Sequence, residues 1–187
     1  SKSQSQDQSN VRSLKSGRWL FGIAASVVLL IGLFFILGDD IVTLETNYGD
    51  QKTMVLLDGS EVILNSKSTL TYNKDDWEHN RTLNLKGEGF FKVKKGSVFT
   101  VITDNGTVTV LGTQFNVNSQ HDLFEVRCFE GKVRVKSNDD TFVLLPTNTV
   151  RRINGFAAEQ WESTSANPSW LEGESTFKSV PLKYVIT

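Results

Sequence analysis

Residues Val98 to Leu111 read VFTVITDNGTVTVL, two segments of alternating apolar and polar side chains around an Asp-Asn-Gly turn. Successive side chains of a β-strand point to opposite faces, so this alternation predicts strands with one buried face. Asp-Gly and Asn-Gly pairs readily adopt the positive φ angles of tight hairpin turns. The segment therefore predicts a β-hairpin, and Asp58-Gly59 predicts another between Val55 and Leu64.

The same period of two continues from Tyr48 onward and is interrupted about every 8 to 12 residues by Gly, Asn or Asp. Short strands at that spacing are typical of all-β domains. Two segments, Gly106 to Val110 and Gly131 to Val135, both contain a glycine followed by alternating valines. The sequence therefore predicts an all-β domain that is either a two-layer sandwich or a short β-solenoid. The two similar segments are then successive strands or stacked rungs.

Upstream of this domain, Trp19 to Leu37 form a run of nineteen uncharged residues, WLFGIAASVVLLIGLFFIL. At about 1.5 Å per residue, a helix of this length extends ~28 Å, close to the ~30 Å hydrocarbon core of a bilayer. The run has no polar face, unlike an amphipathic soluble helix, and it exceeds the usual apolar region of a cleaved signal peptide. It predicts one transmembrane helix that is retained as an anchor.

The charges that flank the apolar run predict its orientation. Arg12, Lys15 and Arg18 precede it, whereas Asp39 and Asp40 follow it. Positively charged flanks of membrane helices stay in the cytoplasm. We therefore expect the N-terminus inside the cell and the β-domain outside the membrane, in a periplasmic or extracellular space.

Changes in composition divide the chain into six predicted segments. They are a cytoplasmic juxtamembrane linker at 1–18, the transmembrane helix at 19–38, a connector at 39–50, the all-β domain at 51–155, a linker at 156–168 and the start of a small α+β domain at 169–187. The first segment is polar and rich in Gln and Ser, and the last predicted helix begins only at Pro181. We therefore expect further sequence beyond both ends.

Composition argues against several classes of function. A net charge of −1 does not suit a nucleic-acid-binding protein. Cys128 is the single cysteine, so no internal disulfide forms, and its alternation with Phe124 and Val126 predicts a buried side chain. The two histidines, His79 and His121, have no partner at a metal-ligand spacing. We expect no metal and no cofactor.

Four motifs occur in order within about 90 residues. They are LDGSEVILNSKSTLTY at 57–72, LKGEGFFKV at 85–93, VTVLGTQFNV at 108–117 and FEGKVRV at 129–135. In these motifs the chain resembles the periplasmic domain of FecR-like anti-sigma factors. The segment WLEGESTFKSVPLKYVI at 170–186 resembles the start of the small C-terminal domain of such proteins.

The resemblance implies a single-pass regulator of the inner membrane with a periplasmic β-domain and no enzymatic turnover. Such a protein binds an extracytoplasmic-function (ECF) sigma factor through a cytoplasmic domain, which we expect upstream of Ser1. It receives a signal from the N-terminal signalling extension of an outer-membrane TonB-dependent transporter. The signal then passes by protein docking and by envelope proteases, without contact with nucleic acid. Strand addition to an exposed sheet edge is a hypothesis for the docking step.

The resemblance also implies a candidate for chemistry at Gly112-Thr113, where some relatives are thought to cleave themselves once. In that reaction the Thr113 hydroxyl attacks the Gly112 carbonyl, an N-to-O acyl shift forms an ester, and water opens it. The alternative is structural, because threonine is common in strands and glycine often marks a β-bulge.

Two other functions remain open from the sequence. A membrane-tethered glycan-binding module would place Trp77, Tyr72 and Trp161 on one exposed surface. An envelope enzyme would have a pocket that joins His79 or His121 to a carboxylate and a hydroxyl.

Overall fold

The structure is a computed structural model that describes residues 18–36, 40–154 and 156–173. The chain divides into two compact units, Ser1–Gly38 and Asp39–Thr187. In the first unit, residues Arg18–Ile36 form helix α1. No helix in the described ranges combines the length and the apolar composition that a membrane span requires.

Several predicted features lie outside the described residues. They are the charges Arg12, Lys15 and Asp39, the last residue of the predicted span, Leu37, and the predicted helix that begins at Pro181. These features stay predictions.

The second unit is built from β-strands, which confirms the all-β prediction. Its described strands are β1 Ile41–Glu45, β2 Lys52–Val55, β3 Glu61–Leu64, β4 Thr69–Asn73, β5 Arg81–Lys92, β6 Phe99–Thr103, β7 Gly106–Val110, β8 Gln114–Gln120, β9 Leu123–Glu130, β10 Val133–Ser137, β11 Asp140–Leu144, β12 Asn148–Ile153 and β13 Glu159–Glu162. A short 3₁₀ helix, Ser169–Glu172, follows them. The predicted hairpin turns at Asp58-Gly59 and at Asp104 to Gly106 connect β2 to β3 and β6 to β7.

The long strand β5 belongs to two sheets. Its first half pairs with β4 and β6 in sheet A, whose order is β11-β10-β7-β6-β5-β4-β1. Its second half pairs with β3 and β8 in sheet B, whose order is β2-β3-β5-β8-β9-β12-β13. The backbone passes from one sheet to the other at Gly87, where φ is +97°. A Cβ atom there would lie 2.8 Å from the Cα of Ser68, so the crossing requires glycine.

The apolar core lies between the inner faces of the two sheets. Leu83, Phe99 and Val108 contribute from sheet A, and Phe91 and Phe115 contribute from sheet B; all five are fully buried. The rings of Phe91 and Phe115 stack with centroids 5.0 Å apart. Each such side chain stabilises the fold by roughly 1.5 to 3 kcal/mol relative to an exposed position.

The pairing of strands distinguishes the two predicted architectures. Strands β7 and β10, which contain the two similar glycine-valine segments, are antiparallel neighbours. Stacked rungs of a solenoid would run parallel, and β5 with β6 is the one parallel pair among the described strands. The two sheets curl around a shared core, so the solenoid alternative was wrong for these segments and they are neighbouring strands of one sheet.

Two segments assigned to connections contain edge strands. Strand β1 lies within the predicted connector at 39–50 and pairs with β4. Strand β13 lies within the predicted linker at 156–168 and pairs with β12. Both strands are short and largely exposed, so alternation of side chains gives little signal there.

Candidate functional site

The outer face of sheet B carries a row of ionisable and amide side chains. Strand register places Glu88 beside Asn118, Asn118 beside Glu125, Glu125 beside Arg151, and Arg151 beside Glu159. Each side chain comes from a different strand, from β5 through β8, β9 and β12 to β13. They alternate along their strands with the residues of the core, so the same sheet is apolar inside and charged outside.

Arg151 is the most deeply buried member of this row, with a side chain 3% exposed. Its guanidinium lies 2.9 Å from Glu159 and 3.9 Å from Glu125, and 4.9 Å from the ring centroid of Trp161. Burying an unpaired charge costs free energy, and these contacts offset the cost of burying the guanidinium of Arg151.

The two inner carboxyl groups of the row hold their protons more tightly than usual. Burial raises the pKa of Glu125 to about 7, and the neighbouring Glu88 adds to the rise, whereas Arg151 and Arg127 oppose it. Burial also raises the pKa of Glu88, although Asn116 and Asn65 donate hydrogen bonds to its carboxylate, which oppose the rise. A proton on Glu125 is thus within reach of neutral pH.

A segment that we call the strap, residues 163–173, lies over this outer face. Arg127 on β9 donates hydrogen bonds to the backbone carbonyls of Ser163 and Ser165, at 3.1 and 2.9 Å. The indole Nε1 of Trp170 donates to Oδ1 of Asn116 at 3.2 Å. Asn116 in turn donates to Glu88 at 2.8 Å. A chain of hydrogen bonds therefore links the charged row to the strap.

The candidate cleavage pair Gly112-Thr113 lies at the entry to β8. Thr113 is 3% exposed, and its hydroxyl donates to the backbone carbonyl of Lys132 at 3.2 Å. A Cβ atom on Gly112 would lie 2.7 Å from the Cα of Lys95, so the close approach of the two backbones requires glycine. A Cβ atom on Gly131 would lie 2.9 Å from both the Gly112 carbonyl oxygen and the Thr113 hydroxyl.

This environment gives Thr113 a structural role. The pairing of β8 with β9 shifts register between Gln114 and Phe115, directly after Thr113. The hydroxyl contacts a carbonyl, which accepts a hydrogen bond but does not act as a general base. The arrangement holds the chain at a turn into β8.

The three aromatic residues of the glycan-binding hypothesis do not form one exposed surface. Trp77 and Tyr72 are buried, at 1% and 7% exposed, and pack edge to face with centroids 4.8 Å apart. Trp161 lies on β13, against Arg151. The shared aromatic surface of the glycan-binding hypothesis is therefore wrong for these three residues.

Cys128 is fully buried, which confirms the sequence prediction. Burial raises the pKa of its thiol to about 11, so the reactive thiolate is scarce at neutral pH. His79 and His121 are exposed. Across residues 18–36, 40–154 and 156–173, no three His, Cys, Asp or Glu side chains come together in a way that could hold a metal ion.

The charged row and the strap were not found by sequence reasoning. The sequence does place Glu125 and Arg127 on one face of a strand, opposite the apolar one. Pairs such as Asn116 and Asn118 on the neighbouring strand repeat that pattern. An outward face with buried polar residues on adjacent strands is the signal that could have predicted a covering segment.

Comparison with known proteins places this fold. The sequence matches the family described as FecR protein over residues 42–134. Two crystal structures of a Parabacteroides distasonis protein provisionally described as an anti-sigma factor, at 2.50 and 1.65 Å resolution, have TM-scores of 0.73 and 0.72 to this chain. Each is 28% identical and covers 78% of this chain and 71% of its own. No curated protein matches the sequence. The resemblance predicted from the four motifs is thus confirmed, and residues 42–134 of this chain match the FecR family.

Proposed function

We propose that this chain is the anchoring and sensing part of an anti-sigma regulator. The match to the FecR family together with the likeness to a protein provisionally described as an anti-sigma factor carries this proposal. In the proposal the protein binds an ECF sigma factor in the cytoplasm. It relays a signal from the N-terminal extension of an outer-membrane TonB-dependent transporter, by docking and by envelope proteolysis, and it has no enzymatic turnover.

The sigma-factor partner is tested with the native protein in its own membrane. We expect a sigma factor to copurify with the affinity-tagged protein after chemical cross-linking. Transcription from promoters of that sigma factor should change when the gene for this protein is deleted. Absence of any sigma factor from the cross-linked material would contradict the proposed function.

The proposed topology is a single inner-membrane span with a periplasmic β-domain. The apolar run Trp19 to Leu37 and the charge asymmetry around it support this topology. Asp139 lies in an exposed turn, and the native Cys128 is buried and gives little background labelling. A membrane-impermeant maleimide should therefore label Asp139→Cys in cells with a permeabilised outer membrane, but label Ser3→Cys only after lysis. Labelling of both before lysis contradicts the orientation.

Docking by strand addition is the second part of the proposal. Strands β1, β2, β11 and β13 are the sheet edges among the described strands. An edge strand has unpaired backbone groups that an extended peptide can bind. Amide exchange in one of these strands should slow when the transporter extension binds. A complex in which the extension contacts side chains only would exclude this mode.

One-time self-cleavage between Gly112 and Thr113 remains a separate proposal. Support comes from the family motif and from the lack of a side chain at Gly131, beside the reacting atoms. Mass determination of the native protein should give two fragments for wild type and for Thr113→Ser, and one intact chain for Thr113→Ala. The half-buried Thr109→Ala on β7 is the control and should stay cleaved. An intact wild-type chain leaves Thr113 with its structural role alone.

A further inference from the structure

We propose that the strap, residues 163–173, is a detachable cover on sheet B, held closed by Arg127 and by the hydrogen bonds that link Glu88, Asn116 and Trp170. The inference rests on the proposed signalling function only for its biological use. The opening itself is a property of this chain. In a regulator, opening would uncover the charged face of sheet B.

The strap is held by a small set of hydrogen bonds, which includes one from the Ser163 N–H to the Thr147 carbonyl at 2.9 Å, and by partial burial of three apolar side chains. Residues 164–167 are exposed, whereas Pro168 is buried and Trp170 and Leu171 are half-buried. Arg127 holds two backbone carbonyls, Asn116 accepts from the indole, and Gln51 donates to the carbonyl of Trp170 at 3.2 Å. Hydrogen bonds between protein groups replace hydrogen bonds to water, so each contributes little net stability. The strap therefore opens at a much smaller cost than the strands beneath it.

Groups beneath and beside the strap are incompletely paired when it is closed. The Nε atom of Arg127 and the Oδ1 atom of Asn118 are buried and make no hydrogen bond to any described residue. A buried polar atom without a partner is unfavourable, and water supplies a partner when a cover lifts. Hydration of these two atoms offsets part of the free energy that opening requires. The closed and open forms are consequently close in free energy.

The protonation state of the buried carboxyl groups affects how firmly the strap is held closed. Asn116 connects Trp170 to Glu88, and Glu88 lies next to Glu125 across Asn118. Glu88 and Glu125 are the two inner carboxyl groups of the row, and among the described residues Arg127 and Arg151 are the positive charges that act on Glu125. Repulsion between two ionised carboxylates favours water near them. A change in protonation or a bound cationic partner would alter how firmly the strap is held.

Hydrogen exchange of the purified chain in detergent micelles tests the proposal without any sigma factor or transporter. Arg127→Met removes both carbonyl contacts and keeps a long side chain over the ring of Phe129. We expect the hydrogen-bonded amides of Ser163, Leu171 and Gly173 to exchange about tenfold faster in this variant, since two hydrogen bonds that hold the strap are removed. Exchange in β8 and β9 should stay unchanged.

Lys92→Met is the matched control. Lys92 is another cation on the same outer face, 5.9 Å from the ring centroid of Phe90, as Arg127 is 4.6 Å from that of Phe129. It makes no contact with the strap among the described residues, so strap exchange should match wild type. Equal acceleration in both variants, or acceleration of β8 and β9 together with the strap, would overturn the proposal.

Trp170→Phe provides a second, milder variant that keeps an aromatic ring. It removes the N–H that Asn116 accepts and reduces the ring area, while an aromatic ring remains. We expect strap exchange to rise by about threefold, less than for Arg127→Met. No rise in either variant would also overturn the proposal. A failure of this test leaves the anti-sigma function untouched, because sigma-factor binding is measured separately.

Discussion

The two faces of sheet B make different kinds of contact with the rest of the domain. The inner face presents Phe91, Phe115 and Val126, which are fully buried against sheet A. The outer face presents the charged pair Glu125 and Arg151 together with Arg127, which donates hydrogen bonds to the strap. Apolar burial depends mainly on area, whereas polar burial depends on geometry and is costly when a partner is missing. The inner face therefore supplies stability, and the outer face supplies a contact that can open.

The largest expected effect lies on the inner face. Phe91→Ala removes a ring that stacks on Phe115 at 5.0 Å and leaves a cavity in the core. The free energy of unfolding should fall by about 3 to 5 kcal/mol. Urea denaturation of the chain in micelles measures this change. Val143→Ala, at a position that is 55% exposed, should cost less than about 0.5 kcal/mol. Similar losses in the two variants would mean that the inner face does not carry the stability.

On the outer face, the strongest single effect should come from Arg151→Met. The change leaves Glu125 and Glu159 without the guanidinium that pairs with them, and we expect a loss of about 1 to 3 kcal/mol. Combining it with Glu125→Gln should recover part of the loss, because the unpaired charge is then removed. Additive losses in the double variant would show that Arg151 acts through Trp161 and packing instead.

Sequence reasoning predicted the β-domain because its strong signals are local. The Asp-Gly turn has Gly59 at a φ of +77°, and the alternation around Cys128 placed that side chain in the core. Sequence spacing could not distinguish a sandwich from a solenoid. That distinction depends on whether β7 and β10 run antiparallel, which is set by distant pairing.

The candidate site was missed for a related reason. Glu88, Asn118 and Arg151 are far apart in sequence and meet only because β5, β8, β9 and β12 are adjacent in sheet B. The strap has no periodic pattern; its residues up to 168 appear as a linker in the sequence, and those from 169 appear as the start of the small α+β domain. Its contacts with Arg127 use backbone carbonyls, which any residue provides.

The pH dependence of stability should distinguish the two faces further, because the outer face carries the titratable side chain of Glu125. The pKa of Glu125 is raised from 4.5 to about 7 by burial, so the folded protein keeps a proton that the unfolded chain has lost between these pH values. Stability from this group is present below pH 4.5 and falls as pH rises toward 7, by at most about 1.4 kcal/mol per pH unit. Urea denaturation between pH 5 and 8 measures the slope.

Glu125→Gln is the variant that isolates this titration. The amide cannot ionise, so the slope should become smaller while Glu88, whose pKa burial also raises, keeps a residual part of it. Arg127, Arg151 and Glu159 are the other charged groups near Glu125 on strands β9, β12 and β13. An unchanged slope would assign the pH dependence to groups elsewhere.

The smallest expected effect is at the solvent edge of the same outer face. Lys92 and Glu61 form an ion pair at 2.7 Å, but their side chains are 44% and 35% exposed. Water and salt screen such a pair, so Lys92→Met should change the free energy of unfolding by only about 0.2 to 1 kcal/mol. Raising the salt concentration should lower the free energy of unfolding of the wild type toward that of the variant. A loss as large as that of Arg151→Met would mean that position on this face, and not burial of the side chain, determines how much a charge contributes.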